Sequence, residues 1–255
     1  MIYYCYRKST ASQRILDRAA RDATHYRKIT VPFEKIVQNI AKLNAIFNFN
    51  LTPMQRFKRK DKQMPVADLI VFWNRAKPDA ADLFLMIYED ATRFSDSEQF
   101  LRWDAKEPLT ALVGADKLVL TNQYELVQLP RKKSTIKYAP NHAPSSWTWR
   151  MTDAYYAHFQ KQIKKGIDCW TANPVPLKQV VHSLYGTLGY RGARMQVGYL
   201  MTELRTNWKQ RFNTPFSAEV SLNLSYLGRL KDDCKSLEEL FTAREVILKE
   251  LATGT

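Results

Sequence analysis

The sequence predicts a mainly α protein with a small antiparallel β hairpin or meander near its middle (α+β), and three observations lead there. Apolar residues recur at steps of three and four through most of the 255 positions. Only from about 109 to 138 does the period approach two, and the turn-forming residues gather around that stretch. The expected layout is a helical N-terminal region over 1–107 and a β-hairpin plus helical region over 108–255, the two compatible with one continuous domain.

Taken in order, residues 10 to 28 place Ile15, Leu16, Ala19, Ala20 and Ala23 on one helical face, while Arg14, Arg18, Arg21, His25 and Lys28 follow the other. Pro32 suits the first turn of a second helix carrying Phe33, Ile36, Val37, Ile40, Leu43 and Phe47, and the two helices should form a hairpin. The run RFKRKDK reads as a loop or helix end too charged to bury. Leu83, Phe84, Ile87, Tyr88 and Ala91 make a further helical stripe. The segments LTALV, KLVL and YELVQL, divided by Gly114-Ala115-Asp116 and Thr121-Asn122-Gln123, read as short strands.

In the second half, Thr152 or Asp153 caps a helix bearing Tyr155, Phe159 and Ile163. Another begins near Pro176 with Leu177, Val180, Val181, Leu184 and Leu188. After Gly186 to Gly192 a longer one carries Val197, Leu200, Met201, Leu204 and Trp208. This helix, glycine-containing turn and helix suggest a helix-turn-helix or winged-helix-like element. Ser236 and Glu239 form a capping box for a last helix.

Composition narrows function. Lys and Arg number 39 against 25 Asp and Glu, a net charge of +14, and 45% hydrophobic content supplies a core. The charge is gathered in segments: residues 1 to 62 carry 14 basic and 4 acidic side chains, and residues 131 to 165 carry eight and one. Such surfaces attract phosphate polymers through counterion release. Residues 79 to 107 reverse the balance with eight acids against three bases, a solvated acidic face or one that docks a protein. Cys5, Cys169 and Cys234 are too far apart for a metal motif. No apolar run reaches the roughly 18 residues of a membrane span, and MIYYCYRKST lacks the apolar core of a secretory signal. A cytoplasmic location, nucleoid-associated if the polymer is DNA, is the expectation, with no membrane and no cofactor.

Three groups are expected to bind nucleic acid. Arg194, Gly198, Thr202, Arg205 and Lys209 line one face of the long helix, and glycine inside a helix suggests a close approach by DNA or by another helix. Arg131, Lys132 and Lys133 end the β-hairpin, with Trp147 and Trp149 just beyond as stacking or core residues. Arg56, Lys58, Arg59 and Lys60 form a phosphate clamp.

The segment Tyr6-Arg7-Lys8-Ser9-Thr10-Ala11-Ser12-Gln13, directly after an apolar start, resembles the N-terminal nucleophile motif of serine recombinases over fewer than ten residues. The resemblance implies that Ser9 is a nucleophile and Arg7 its activator; read on its own, Ser9 or Ser12 caps the first helix. Pro78-Asp79 with Asp104-Ala105-Lys106 spells a nuclease-type pattern of metal-binding acids and a lysine, although Asp79 also suits a helix cap. His182, Arg191, Arg194 and Tyr226 match no tyrosine-transfer spacing, and no P-loop or zinc motif is present. The expectation is a non-catalytic nucleic-acid-binding protein, the alternatives being a subunit of a larger nucleoprotein assembly and a phosphodiester-processing enzyme.

Overall fold

The computed structural model describes residues 1–62, 64–88, 100, 101, 103, 105–131, 144–216 and 234–253. They fall into two compact units, 1–118 with 229–255, and 119–228.

The first unit is built on a five-stranded mixed sheet. Its elements are β1 (Ile2–Cys5), α1 (Lys8–Ala19), β2 (Ala23–Pro32), a 3-10 turn (Phe33–Lys35), α2 (Ile36–Phe47), α3 (Pro53–Asp61), β3 (Val66–Trp73), β4 (Ala80–Tyr88) and β5 (Thr110–Ala111). The strand order is β1-β3-β4-β2-β5. β1 runs parallel to β3 with Ile2 opposite Leu69, and β4 pairs antiparallel with both β3 and β2. Alternation along β3 and β4 divides the core. Ala67, Leu69, Val71 and Trp73 join Leu83, Leu85 and Ile87 against α2 residues Ile36, Leu43 and Phe47. The opposite face is covered by α1, which buries Ala11, Ile15 and Ala19 against β3 and β4. The chain returns to this unit at Cys234, which bridges Tyr4, and at the last helix, whose Leu240 and Phe241 enter the first core.

The mainly α expectation is therefore corrected: a mixed sheet, and not a helical hairpin, organises the N-terminal half. The first helix stops at Ala19, and Asp22 turns the chain at φ 66° into β2. Residues 23 to 32 hold Thr24, Tyr26, Ile29, Thr30 and Val31, β-branched and aromatic side chains that favour a pleated strand over a helix. The stripe through Leu83, Phe84, Ile87 and Tyr88 is β4, buried on both faces; a continuous apolar run fits a central strand as well as a helix. Its neighbour β3 is buried at every position.

The second unit packs a three-stranded antiparallel sheet, β6 (Val119–Leu120), β7 (Tyr124–Pro130) and β8 (Ser145–Met151), with α4 (Asp153–Asp168), α5 (Val175–Tyr185) and α6 (Arg191–Phe212). Thr121 and Asn122 adopt left-handed backbone (φ 52° and 58°) to join β6 to β7. Thr152 caps α4 by accepting from the Tyr155 N–H at 3.3 Å. The helix-turn-helix expectation is corrected too. α5 packs on α4, α4 packs on α6, and α6 packs on β8, so α5 and α6 do not form the two-helix unit of that motif. The last helix of the chain, α7 (Leu237–Thr253), begins with the Ser236 hydroxyl accepting from the Glu239 N–H.

Two glycines on α6 predict opposite outcomes. A Cβ on Gly192 would lie 2.7 Å from the Trp149 carbonyl oxygen, whereas one on Gly198 would meet nothing within 4 Å. Gly192→Ala should cost about 1–3 kcal/mol by overpacking, and Gly198→Ala should gain up to about 1 kcal/mol from helix propensity. Urea unfolding of the full chain measures both signs.

Candidate nucleic-acid interface

α6 is held to its sheet by backbone-directed contacts along one side. The Gly192 N–H donates to Thr148 Oγ1 at 3.1 Å, which is why a side chain at 192 has no room. Gln196 accepts from the Met151 N–H at 2.6 Å and donates to the Met151 carbonyl at 3.1 Å. Arg191 donates to the carbonyls of Leu129 and Pro130 at 2.8 and 3.0 Å. This last contact joins the start of α6 to the end of β7. Ala193, Val197, Leu200, Leu204 and Trp208 fill the core behind.

The other side of α6 faces solvent. Met195, Gly198, Tyr199, Thr202, Arg205, Thr206 and Lys209 are all exposed and recur at helical steps. The single acid of the helix, Glu203, accepts from Gln160 of α4 at 2.8 Å and leaves this face without a carboxylate. Arg205 and Lys209 pair with no acid among the described residues. Arg194 is half-buried. Arg131 is half-buried at the mouth of the hairpin, its Nε 3.4 Å from the Ser145 carbonyl; Lys132 and Lys133 lie outside the described residues. Trp149 is buried in the core, while Trp147 is half-buried. Met195, Tyr199 and Thr206 were not singled out from the sequence, although their spacing from Thr202 carries the signal.

The basic run 56–60 sits differently. It belongs to α3, capped by Thr52 and Gln55 in a reciprocal pair. Arg56 turns inward to Asp68, a β3 carboxylate with no exposed surface, at 2.8 Å. Asp68 also takes Arg18 Nη1 at 3.3 Å, the Tyr88 hydroxyl at 3.0 Å and the Met1 nitrogen at 3.0 Å. Lys60 lies 4.2 Å over the Tyr88 ring, and Arg59 is half-buried. Of the four, Lys58 is exposed, and the outward side chains of α3 include Met54 and Phe57. The helix thus turns Arg56 and Lys60 toward the sheet and leaves Lys58, Met54 and Phe57 outward.

Charge follows the same division. The first unit holds 25 Lys and Arg against 20 Asp and Glu; the second holds 14 against 5, a net of +9. In the acidic segment, Asp82 pairs with Lys28 and Glu107 with Arg27, both on β2. Asp79 is exposed, 3.9 Å from Arg244, and does not cap a helix; Asp104 lies outside the described residues, as do Glu89, Asp90, Asp96 and Glu98. Ser9 stands in the first turn of α1, just past the end of β1, with Arg7 as the preceding cap residue. Ser12 donates to the Ser9 carbonyl at 2.8 Å, and neither serine caps the helix through its side chain. His182 is exposed on α5, and Tyr226 lies outside the described residues. A cavity of about 410 Å3 lies between the ends of α4 and α6, lined by Lys164, Asp168, Asn207, Gln210 and Arg211. Among the described residues no group of acids, histidines and cysteines is placed to hold a metal, and no helix is long and apolar enough to cross a membrane. Comparison with protein-family models, curated proteins and solved structures finds no match.

Removing the Asp68 charge deprives buried Arg18 and half-buried Arg56 of their shared carboxylate. Asp68→Asn should lower stability by about 3–5 kcal/mol, the cost of breaking a buried ion pair from one side, and denaturant titration measures it. Burial, reinforced by the Asp68 charge, holds the Tyr88 phenol well above its ordinary 10.0, and burial does the same to Tyr124. The unfolded chain therefore releases these protons first, so stability is intact below pH 10.0 and falls as pH rises beyond it. Unfolding midpoints across that range should fall less steeply in Tyr88→Phe than in the parent chain.

Proposed function

We propose that the chain binds nucleic acid through its second unit, with the outer face of α6 as the contact surface and the Arg131 end of β7 beside it. The observation that carries this reading is the row from Met195 to Lys209, exposed along its length, cationic at Arg205 and Lys209, and free of carboxylates. A helix fixed from behind by Gly192 and Gln196 presents that row without needing to order it on binding. Phosphate contacts of this kind set affinity and orientation. The inward turn of Arg56 and Lys60 supports assigning the first unit's basic helix to folding instead.

A second reading has its own observation in support. The short motif that resembles serine recombinases lies across a strand end and a helix start, with Ser9 in the first helical turn at the carboxyl end of a parallel strand pair. A five-stranded mixed sheet surrounds this motif, in place of the two consecutive helices expected from sequence. Phosphodiester cleavage at Ser9 would show as nicking of supercoiled plasmid that Ser9→Ala abolishes; plasmid left intact by the parent chain rejects it.

For the principal reading, binding is measured against salt. Arg205→Glu with Lys209→Glu should weaken binding to every sequence and flatten the salt slope by about 2, at roughly 0.9 per phosphate contact. The same charge change at Lys58 on α3 should leave the slope alone. Equal losses from both variants would contradict the assignment to α6.

A further inference from the structure

We infer that the polymer is double-stranded DNA and that α6 lies along its major groove; this rests on the nucleic-acid reading above and narrows it. The exposed row runs from Met195 to Lys209, about 21 Å at 1.5 Å per residue, a rigid rod of the size a B-form major groove admits. Its cations sit toward one end. Arg205 offers the planar fork that matches guanine, and Lys209, one turn on, is placed for a phosphate.

Near its start the row drops at Gly198, between the exposed side chains of Met195 and Tyr199. No described residue lies within 4 Å of a Cβ at Gly198, so none of them explains a glycine there, and a duplex laid on this face would meet the backbone closely at that point. Thr202 and Thr206 follow at four-residue steps. Their hydroxyls donate to the carbonyls of Gly198 and Thr202, 3.0 Å each, and are thereby engaged by the helix itself. What these side chains add to a partner is chiefly their methyl groups, which suit the thymine methyl in the major groove.

The same surface suits the other polymers poorly. The major groove of an RNA duplex is too deep and narrow for a helix. A single strand is held by several stacking aromatics along a groove, and this convex face carries Tyr199 as its one aromatic. An acidic protein partner would match the charge of Arg205 and Lys209 but offers no thymine methyl for the methyl groups of Thr202 and Thr206.

The test is fluorescence anisotropy of the full chain, at matched salt, with duplex DNA, duplex RNA and single-stranded DNA of one mixed sequence. Duplex DNA should bind at least about 10-fold more tightly than either alternative. Gly198→Leu, which props the helix off the groove floor, should lower duplex affinity by about 10-fold or more with the unfolding midpoint maintained. RNA or single-stranded DNA binding as tightly, or an unchanged affinity for Gly198→Leu, overturns the groove assignment. If none of the three polymers binds, or if Arg205→Glu with Lys209→Glu binds all three as the parent does, the failure lies with the nucleic-acid reading itself.

Discussion

The first unit depends on one buried carboxylate. Asp68 has no exposed surface and draws Arg18 from α1, Arg56 from α3 and the hydroxyl of Tyr88 from β4 onto a single strand. An ionised group removed from water is tolerated only when partners surround it, so these elements are obliged to meet at that point. The arrangement has a second effect. It withdraws guanidiniums from the surface, and Lys60, drawn over the Tyr88 ring, follows them. Two cations of the basic run, Arg56 and Lys60, thereby fix a short helix to a sheet.

The second unit carries 14 cations against 5 acids; its Glu125 pairs with Arg150, and the one acid of α6 is turned to an amide on α4. The packing of α6 is equally one-sided. Its inner surface is specified closely, down to a glycine that touches a carbonyl oxygen, and its outer surface is unconstrained by any neighbour at Gly198. Substitutions on the outer row therefore change charge without disturbing the core.

Sequence patterning and structure agree where one helical face is buried and the other is wet. α4, α5, α6 and α7 were legible for that reason, as were the Thr152 cap and the positions of Arg205 and Lys209. The sheet was not. β3 and β4 are buried on both faces, so their apolar runs carry no alternation, and the period of Leu83, Phe84, Ile87 and Tyr88 fits helix and strand alike. α1 and β2 were merged because basic residues spaced at three and four positions, Arg14 to Lys28, continue past Ala19 by coincidence, beyond the left-handed turn at Asp22. The inward course of Arg56 had no local signal at all. It is dictated by Asp68, twelve positions away and in another element, and a lone aspartate in an apolar run does not announce which cations it will claim.

The most direct test of the central claim, that the second unit holds the polymer and the first unit's cations serve the fold, is lysine-reactivity footprinting of the full chain by mass spectrometry with and without duplex DNA. Lys209 is expected to lose reactivity on binding while Lys58 and Lys62, exposed on and beside α3, keep theirs. Protection of Lys58 and Lys62 with Lys209 left reactive would contradict the account.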